Sequence, residues 1–332
     1  MKKYLLIFIA CFWGGFLMNL VLTPPPPEMV VSPCLNGTSF DIFDRRPVEQ
    51  RYVVVNLFAG FGNQMFQYAA AYAYGKAHNK TVVVTGGSET FSRAFGLNFI
   101  RFQKDDICFF PAMSTIRRRE VGAKSHTGQK VSGFLNDPDI IFMVGYFQNE
   151  RFFKKYAADI RNLFAFQGDL PIETEKLKTE IESQNAVSIH IRRTDYVSSG
   201  YYYVLSVGYY KRAMKYIARN VDNPHFYIFS DDIDWVENNM DFNYPHTFVK
   251  INKGRDSYLD MYLMSLCKHN IIANSTFSWW GAWLNKNPDK IVIAPDVWGF
   301  STDPYEQTKK RVKEIVPDEW IILSNVPKGE ED

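Results

Sequence analysis

The feature that most constrains this chain is a regular alternation of strand and helix between residues 187 and 294. Short apolar, largely β-branched runs at Val187–Ile191, His225–Phe229, Thr247–Lys250, Asn270–Ala273 and Ile291–Ala294 read as strands. Between them, Val207–Val221, a short stretch after Asp232, Ser257–Lys268 and Phe277–Asn285 read as helices. Strands joined through helices run parallel, because a helical crossover returns the chain to the same edge of the sheet. An earlier and shorter instance begins at Tyr52–Phe58, turns at Ala59-Gly60-Phe61-Gly62, and continues through a helix at Asn63–His78 into a strand at Thr81–Val84. That is a βαβ unit. The polar segment 167–184, with a helical middle, reads as a link. The expectation is an α/β protein of two Rossmann-like lobes, 51–166 and 185–325, with parallel sheets and a cleft between them. The stretch from Ser88 to Phe134 carries no readable period.

The N-terminus constrains location rather than fold. Tyr4–Leu22 is an uncharged, apolar run of 19 residues, preceded by Lys2 and Lys3. As a helix it measures roughly 28 Å, close to the hydrocarbon thickness of a bilayer. The positive-inside bias then leaves residues 1–3 in the cytosol and the rest in a lumen. A cleaved signal peptide is the rival reading, but the apolar core is long and Pro24–Pro27 makes a poor cleavage site. The expected organisation is a transmembrane signal anchor at 4–22, a proline-bearing stem at 23–50, and the remainder of the chain on the lumenal side of the membrane. Sequons stand at Asn36, Asn79 and Asn274. Asn36 and Asn79 are glycosylation candidates, whereas Asn274 lies inside a motif described below and is expected to be blocked. Cys34, Cys108 and Cys267 allow one disulfide at most and show no metal-ligand spacing.

Lys and Arg number 38 against 36 Asp and Glu, so the net charge of +2 offers no footprint for nucleic acid. The basic run Arg117–Arg119 is followed by Glu120 and reads as a solvated face. Aromatic residues make up 16% of the chain. Sugar rings stack on aromatic faces, so this suits a glycan-handling protein, and it suits a large aromatic core equally well.

In doubly wound sheets, ligands lie beyond the carboxyl ends of strands. Three polar clusters fall there in the second lobe: His190–Asp195, Ser230-Asp231-Asp232, and Asn274–Trp280. A guanidinium at Arg192 or Arg193 can fork onto a diphosphate; the structural alternative is that Asp195 simply neutralises Arg193. Asn274, Ser275, Thr276 and Phe277 lead from a strand into a helix, where hydroxyls and backbone N–H groups can bind phosphate or simply cap. Asp232 and Asp234 form a D-x-D pattern that can hold a divalent cation or cap the next helix. The paired arginines already supply positive charge, and no metal is expected. In the first lobe, Gly60 and Gly62 lack the third glycine of a dinucleotide fingerprint, Met65 standing there instead. Asn63 and Gln64 offer amides to sugar hydroxyls or phosphate.

Three segments carry a resemblance: Gly60–Tyr68, His190–Asp195 and Asn274–Gly281, with Asp260–Ser265 before the last. Together, and in this order, they resemble the α-1,2-fucosyltransferase family (glycosyltransferase family 11) over about residues 52–298. The resemblance implies a GT-B-like fold, GDP-L-fucose as donor, a galactose-containing glycan as acceptor, inversion at the anomeric carbon, and no metal. It further implies that Arg192 holds the donor diphosphate with His190 at the nucleotide. Asp260 would meet the guanine N–H edge, Thr276 and its neighbours the phosphates, and Asn63 with the glycine turn would face the cleft from the acceptor lobe. Where related enzymes place a base beyond the arginine motif, Tyr196–Asn220 holds no carboxylate, and Asp195 is the nearest candidate for that role unless it serves as an arginine partner. A fucosyltransferase of another linkage, or an inactive lumenal GDP-fucose or glycan-binding protein, remains the alternative.

Overall fold

The computed structural model describes residues 7–10, 17–20, 52–97, 100–102, 118–120, 130–134 and 137–325. Within the expected anchor, β1 (Ile7–Ala10) pairs antiparallel with β2 (Leu17–Leu20). Among the described residues no helix is long and apolar enough to cross a membrane. The remainder of 4–22, all of the stem with Asn36 and Cys34, and Cys108 lie outside the described residues.

The first sheet begins with β3 (Tyr52–Leu57), which is followed by α1 (Phe61–His78), β4 (Thr81–Gly86), α2 (Glu89–Phe95) and β5 (Ile100–Phe102). It is completed by β6 (Arg118–Glu120), β7 (Lys130–Phe134) and β8 (Asp137–Val144), in the order β5-β4-β3-β8-β7-β6. Strand β3 sits at the centre, parallel to both β4 and β8. Tyr52–Val55 and Leu57 are all buried, as expected for a strand covered on both faces. The expected all-parallel sheet is corrected here: β8, β7 and β6 pair antiparallel. Those strands fall in or beside the stretch without a readable period, and an antiparallel edge on a parallel sheet is common in α/β proteins.

The second sheet follows α3 (Ala157–Leu163) and α4 (Ile172–Glu182). Its elements are β9 (Asn185–Ile191), α5 (Thr194–Ser199), α6 (Val207–Asn220), β10 (Pro224–Ser230), α7 (Ile233–Asn239), β11 (His246–Phe248), α8 (Tyr258–Leu266), β12 (His269–Ile271), α9 (Thr276–Leu284), β13 (Val292–Pro295), α10 (Tyr305–Ile315) and β14 (Ile321–Leu323). All its pairings are parallel. The order β11-β10-β9-β12-β13-β14, renumbered from the first strand of this sheet, is 3-2-1-4-5-6.

The chain divides into two compact units, and the division differs from the expected lobes. One holds residues to Phe58 with Gln67–Gly87 and Asn98–Phe147; the other holds Ala59–Phe66, Ser88–Leu97 and everything from Gln148. The glycine turn therefore belongs with the second sheet. So does the expected link: Ile181 of α4 is fully buried with Ala186, Tyr227 and Met264. The aromatic fraction is largely explained by core packing in this unit. Trp279 and Trp280 are fully buried, and Trp280 lies 4.9 Å from Phe66, 5.4 Å from Phe153 and 5.2 Å from Phe164, ring centre to ring centre.

Candidate active site

Strand register brings the three polar clusters to one edge. Ile191 of β9 stands opposite Ser230 of β10, and Ile189 of β9 opposite Ile271 of β12. Residues 192–195, 231–232 and 274–276 accordingly leave the sheet at its carboxyl side. In a 3-2-1-4-5-6 sheet the winding reverses between the first and fourth strands, here β9 and β12, and crevices form at that point.

At the β9–β10 end the clusters form an ionic network. Arg192 Nη2 lies 2.6 Å from Asp195 Oδ1, and its Nη1 lies 3.0 Å from Asp231 Oδ2. Arg193 Nε lies 3.1 Å from Asp232 Oδ2, and the guanidinium stacks on the Trp235 ring at 3.2 Å. Asp195 thus neutralises Arg192 rather than Arg193, and two arginines face three carboxylates. Asp231, expected at the donor, serves the chain itself. It accepts from the backbone N–H of Arg193 at 2.8 Å and of Thr194 at 3.2 Å, and from the Thr194 hydroxyl. A carboxylate holding two N–H groups at the start of α5 orders the loop that carries Arg192. Asp232 makes no side-chain cap for α7. Among the described residues no group of three His, Cys, Asp or Glu is placed to hold a metal ion. Asp195 is the most open member of the network, its side chain 53% exposed.

His190 is buried at the end of β9, with its ring 5.7 Å from that of Phe277. Burial pulls its pKa down to about 4; Asp231 pushes back and Arg192 adds to the depression. The imidazole is neutral at pH 7, and its Nδ1 has no hydrogen-bond partner. Across the reversal, Asn274 is buried, donating from Nδ2 to the Tyr203 carbonyl at 2.9 Å while its Oδ1 has no partner. Its backbone carbonyl accepts from the Tyr196 hydroxyl at 3.0 Å. So buried an amide is closed to glycosylation, whereas Asn79 is exposed in a left-handed turn with φ of 50°. Buried polar atoms cost free energy unless something pairs with them. His190 Nδ1 and Asn274 Oδ1, on either side of the reversal, are two such buried atoms.

Ser275 caps α9, its hydroxyl accepting from Phe277 N at 3.4 Å, so the capping reading holds at the start of this helix. Thr276 is held by close packing. A Cβ on Gly62 would lie 2.6 Å from the Thr276 carbonyl carbon and 2.8 Å from its hydroxyl. Trp280 Nε1 donates to the Gly62 carbonyl at 3.0 Å. Glycine at 62 is demanded by this approach of backbone to backbone, whereas a Cβ on Gly60 would meet nothing within 4 Å. The Gln64 side chain is consumed locally, donating to the Ala59 carbonyl at 2.8 Å and accepting from Ser88 N at 3.0 Å. Asn63 Oδ1 accepts from Gln148 Nε2 at 2.7 Å.

Asp260, on the first turn of α8, has one tie: Asn252 Nδ2 donates to its Oδ1 at 2.8 Å, and Thr174 Oγ1 donates to Asn252 Oδ1 at 2.9 Å. Desolvation lifts the Asp260 pKa to about 7, against the small lowering by the Asn252 bond. Thr174, Asn252, Gln148, Trp235 and Tyr196 are the supporting residues that reading the sequence missed. Each lies far along the chain from the group it steadies or carries no motif, so no local signal marks them.

The chain matches the model of the glycosyl transferase family 11 over residues 125–324. It is 33% identical to the O-antigen biosynthesis glycosyltransferase WbnK of Escherichia coli, over 80% of this chain and 99% of the relative. It is 31% identical to an alpha-1,2-colitosyltransferase of Escherichia coli, over 82% of this chain and 98% of the relative. With galactoside alpha-(1,2)-fucosyltransferase 1 of Pan troglodytes it shares 23% identity, over 68% of this chain and 63% of the relative. The motifs at the carboxyl edge of the second sheet are thus those of a glycosyltransferase, and the chain belongs to glycosyl transferase family 11.

Proposed function

We propose that this glycosyltransferase moves L-fucose from GDP-fucose to a galactose hydroxyl of a glycan, forming an α-1,2 linkage with inversion. The observation that carries the reading is the placement of Arg192, His190 and Asn274 along one carboxyl edge at the β9–β12 reversal. Support comes from the α-1,2-fucosyltransferase motifs and from the activities by which the relatives are named.

The chemistry follows from these groups. As the bond from the sugar C1 to the diphosphate oxygen breaks, negative charge collects on the leaving group. The Arg192 fork and the backbone N–H groups at the start of α9 stabilise it where it develops. Arg192 is already paired, so the diphosphate must replace one carboxylate. Asp195, half exposed on a one-turn-and-a-half helix, is the partner that gives way, while Asp231 stays tied to backbone. His190, neutral at pH 7, can hydrogen-bond the donor without adding charge. Asp260 takes the guanine N–H edge, which needs the ionised carboxylate. With its pKa near 7, GDP affinity is expected to fall as pH drops below neutrality. The acceptor hydroxyl attacks from the opposite face and loses its proton late, to water or to an oxygen of the departing diphosphate, so that no strong base is required. No metal enters this scheme, and full activity is expected in EDTA.

A glycan array treated with GDP-fucose, followed by linkage analysis of the product, tests the proposal. Transfer to a galactose at a position other than O2 replaces the linkage; glycan binding without turnover replaces the enzyme by a binding protein. A colitosyl donor is the second reading, favoured by the relative at 31% identity, and the same array run with GDP-colitose decides between donors. The anchor at 4–22 and the lumenal, Golgi placement are part of the proposal. A mature N-terminus near Met1 and a C-terminus protected in sealed microsomes are the expected results; a mature chain beginning at or after residue 20 refutes the anchor.

A further inference from the structure

Beside the ionic network lies a set of aromatic rings that the transfer chemistry does not use. The ring of Tyr196, which Arg192 overlies at 5.6 Å, stacks on Tyr202 at 4.5 Å and 21°. Tyr202 stacks in turn on Phe300 at 5.4 Å and 25°. The row runs outward from the arginine to solvent, where Phe300 is 45% and Tyr201 63% exposed. It is built stiffly from two loops, one following α5 and one following β13. Tyr202 and Phe300 form an antiparallel bridge, Ser301 N donates to the Tyr201 carbonyl at 2.7 Å, and Tyr203 Oη donates to the Asp303 carbonyl at 3.3 Å.

Exposed large rings held rigid at the mouth of a site mark a binding surface, since they offer contact area without an ordering cost. The surroundings say what kind. Residues 196–206 contain no charged side chain, and residues 297–305 contain only Asp303, which Arg311 engages at 2.6 Å. Nucleic acid or an anionic lipid surface would need cations here, and there are none in either loop. Flat apolar faces on uncharged loops that also carry tyrosine hydroxyls suit a neutral sugar, whose ring offers C–H groups on one face and hydroxyls at its rim. We propose that Phe300, backed by Tyr202, and the neighbouring Tyr201 form a stacking platform for a neutral pyranose of the acceptor glycan, an inference that rests on the glycan-transfer reading above.

The test uses the full chain with a neutral, galactose-terminated tetrasaccharide as acceptor and probe. Phe300→Leu and Tyr201→Ala remove exposed rings and leave the backbone bonds between the loops in place. Each is expected to raise the acceptor KM about tenfold with kcat and the KM for GDP-fucose held, and Phe300→Trp is expected to restore the acceptor KM. Direct titration of the tetrasaccharide should show the same loss and rescue. An unchanged acceptor KM and unchanged tetrasaccharide binding in both ring-less variants would overturn the platform. Should the wild type transfer no fucose yet bind the tetrasaccharide in a Phe300-dependent way, the platform stands and the transfer reading falls.

Discussion

The two sides of the β9–β12 reversal are built on opposite principles. On the β9–β10 side, Arg192, Arg193, Asp195, Asp231 and Asp232 form ion pairs, of which the Arg192–Asp195 pair, with Asp195 half exposed, is the exchangeable one. On the β12–α9 side Asn274, Ser275 and Thr276 carry no charge: Asn274 is tied to the Tyr203 carbonyl, Ser275 caps α9, and Thr276 lies against a glycine that admits no methyl group. Charges that are already paired can release one partner to receive an anion at small cost, because exposed pairs contribute little on their own. Close packing cannot yield without unfolding its neighbours. One side is therefore able to respond to a ligand, and the other holds the frame against which it responds.

The sharpest way to break that contrast is at Gly62. Gly62→Ala puts a methyl into the Thr276 backbone and is expected to cost about 3 kcal/mol of stability despite the better helix propensity of alanine. Urea denaturation measures it; a neutral or stabilising change would mean that α9 shifts freely and is no frame. On the charged side, Arg192→Lys keeps charge but loses the fork. It is expected to lower kcat/KM on the order of a hundredfold, about 2.7 kcal/mol, with little change in melting temperature. A folded lysine variant with near-normal turnover takes Arg192 out of the mechanism, and an unfolded one makes its pairs structural.

His190 links the two sides through pH. Its folded pKa of about 4 lies below the unfolded value near 6.5, so the unfolded chain binds the proton first. Stability is full above about pH 6.5 and is lost as pH falls toward 4. Wild type should lose about 2 kcal/mol relative to His190→Gln between pH 8 and pH 5. The comparison must be made against that variant, because Asp260 slopes the other way: its raised pKa of about 7 favours the protonated native state, and that stability fades as pH rises from about 4 through 7. A flat difference between His190→Gln and wild type would place the imidazole in contact with water. The smallest effect is expected at Asp195→Asn, which frees Arg192. The KM for GDP-fucose should fall a few-fold with kcat kept; a collapse of kcat would instead make Asp195 the base.

Some of this was legible in the residues themselves. The β-branched runs specify β3, β9, β10 and β13 within a residue or two, because a strand covered on both faces must be apolar throughout. Polar residues following such strands have to lie at the carboxyl edge, and His190–Asp195 and Asn274–Thr276 could be placed together for that reason. The short elements were not legible. Helix α5 has a single turn and a half with no apolar stripe, and β5 to β7 carry no continuous period, so their conformations depend on neighbours rather than on local preference.

The sequence by itself determined five strands of the second sheet, the edge its motifs occupy and the family, since period, chain order and motif identity are properties of one dimension. The edge strand β14 and the order of the strands were not among them. Partner choice is not. Which aspartate would hold Arg192, that Asp231 would turn to backbone, that Gln64 would be consumed by Ala59 and Ser88, and that Gly62 would press on Thr276 across 214 residues were decided only by tertiary structure. A charge or an amide has several chemically equal partners within reach of its pattern, and only the packed positions of the helices select among them.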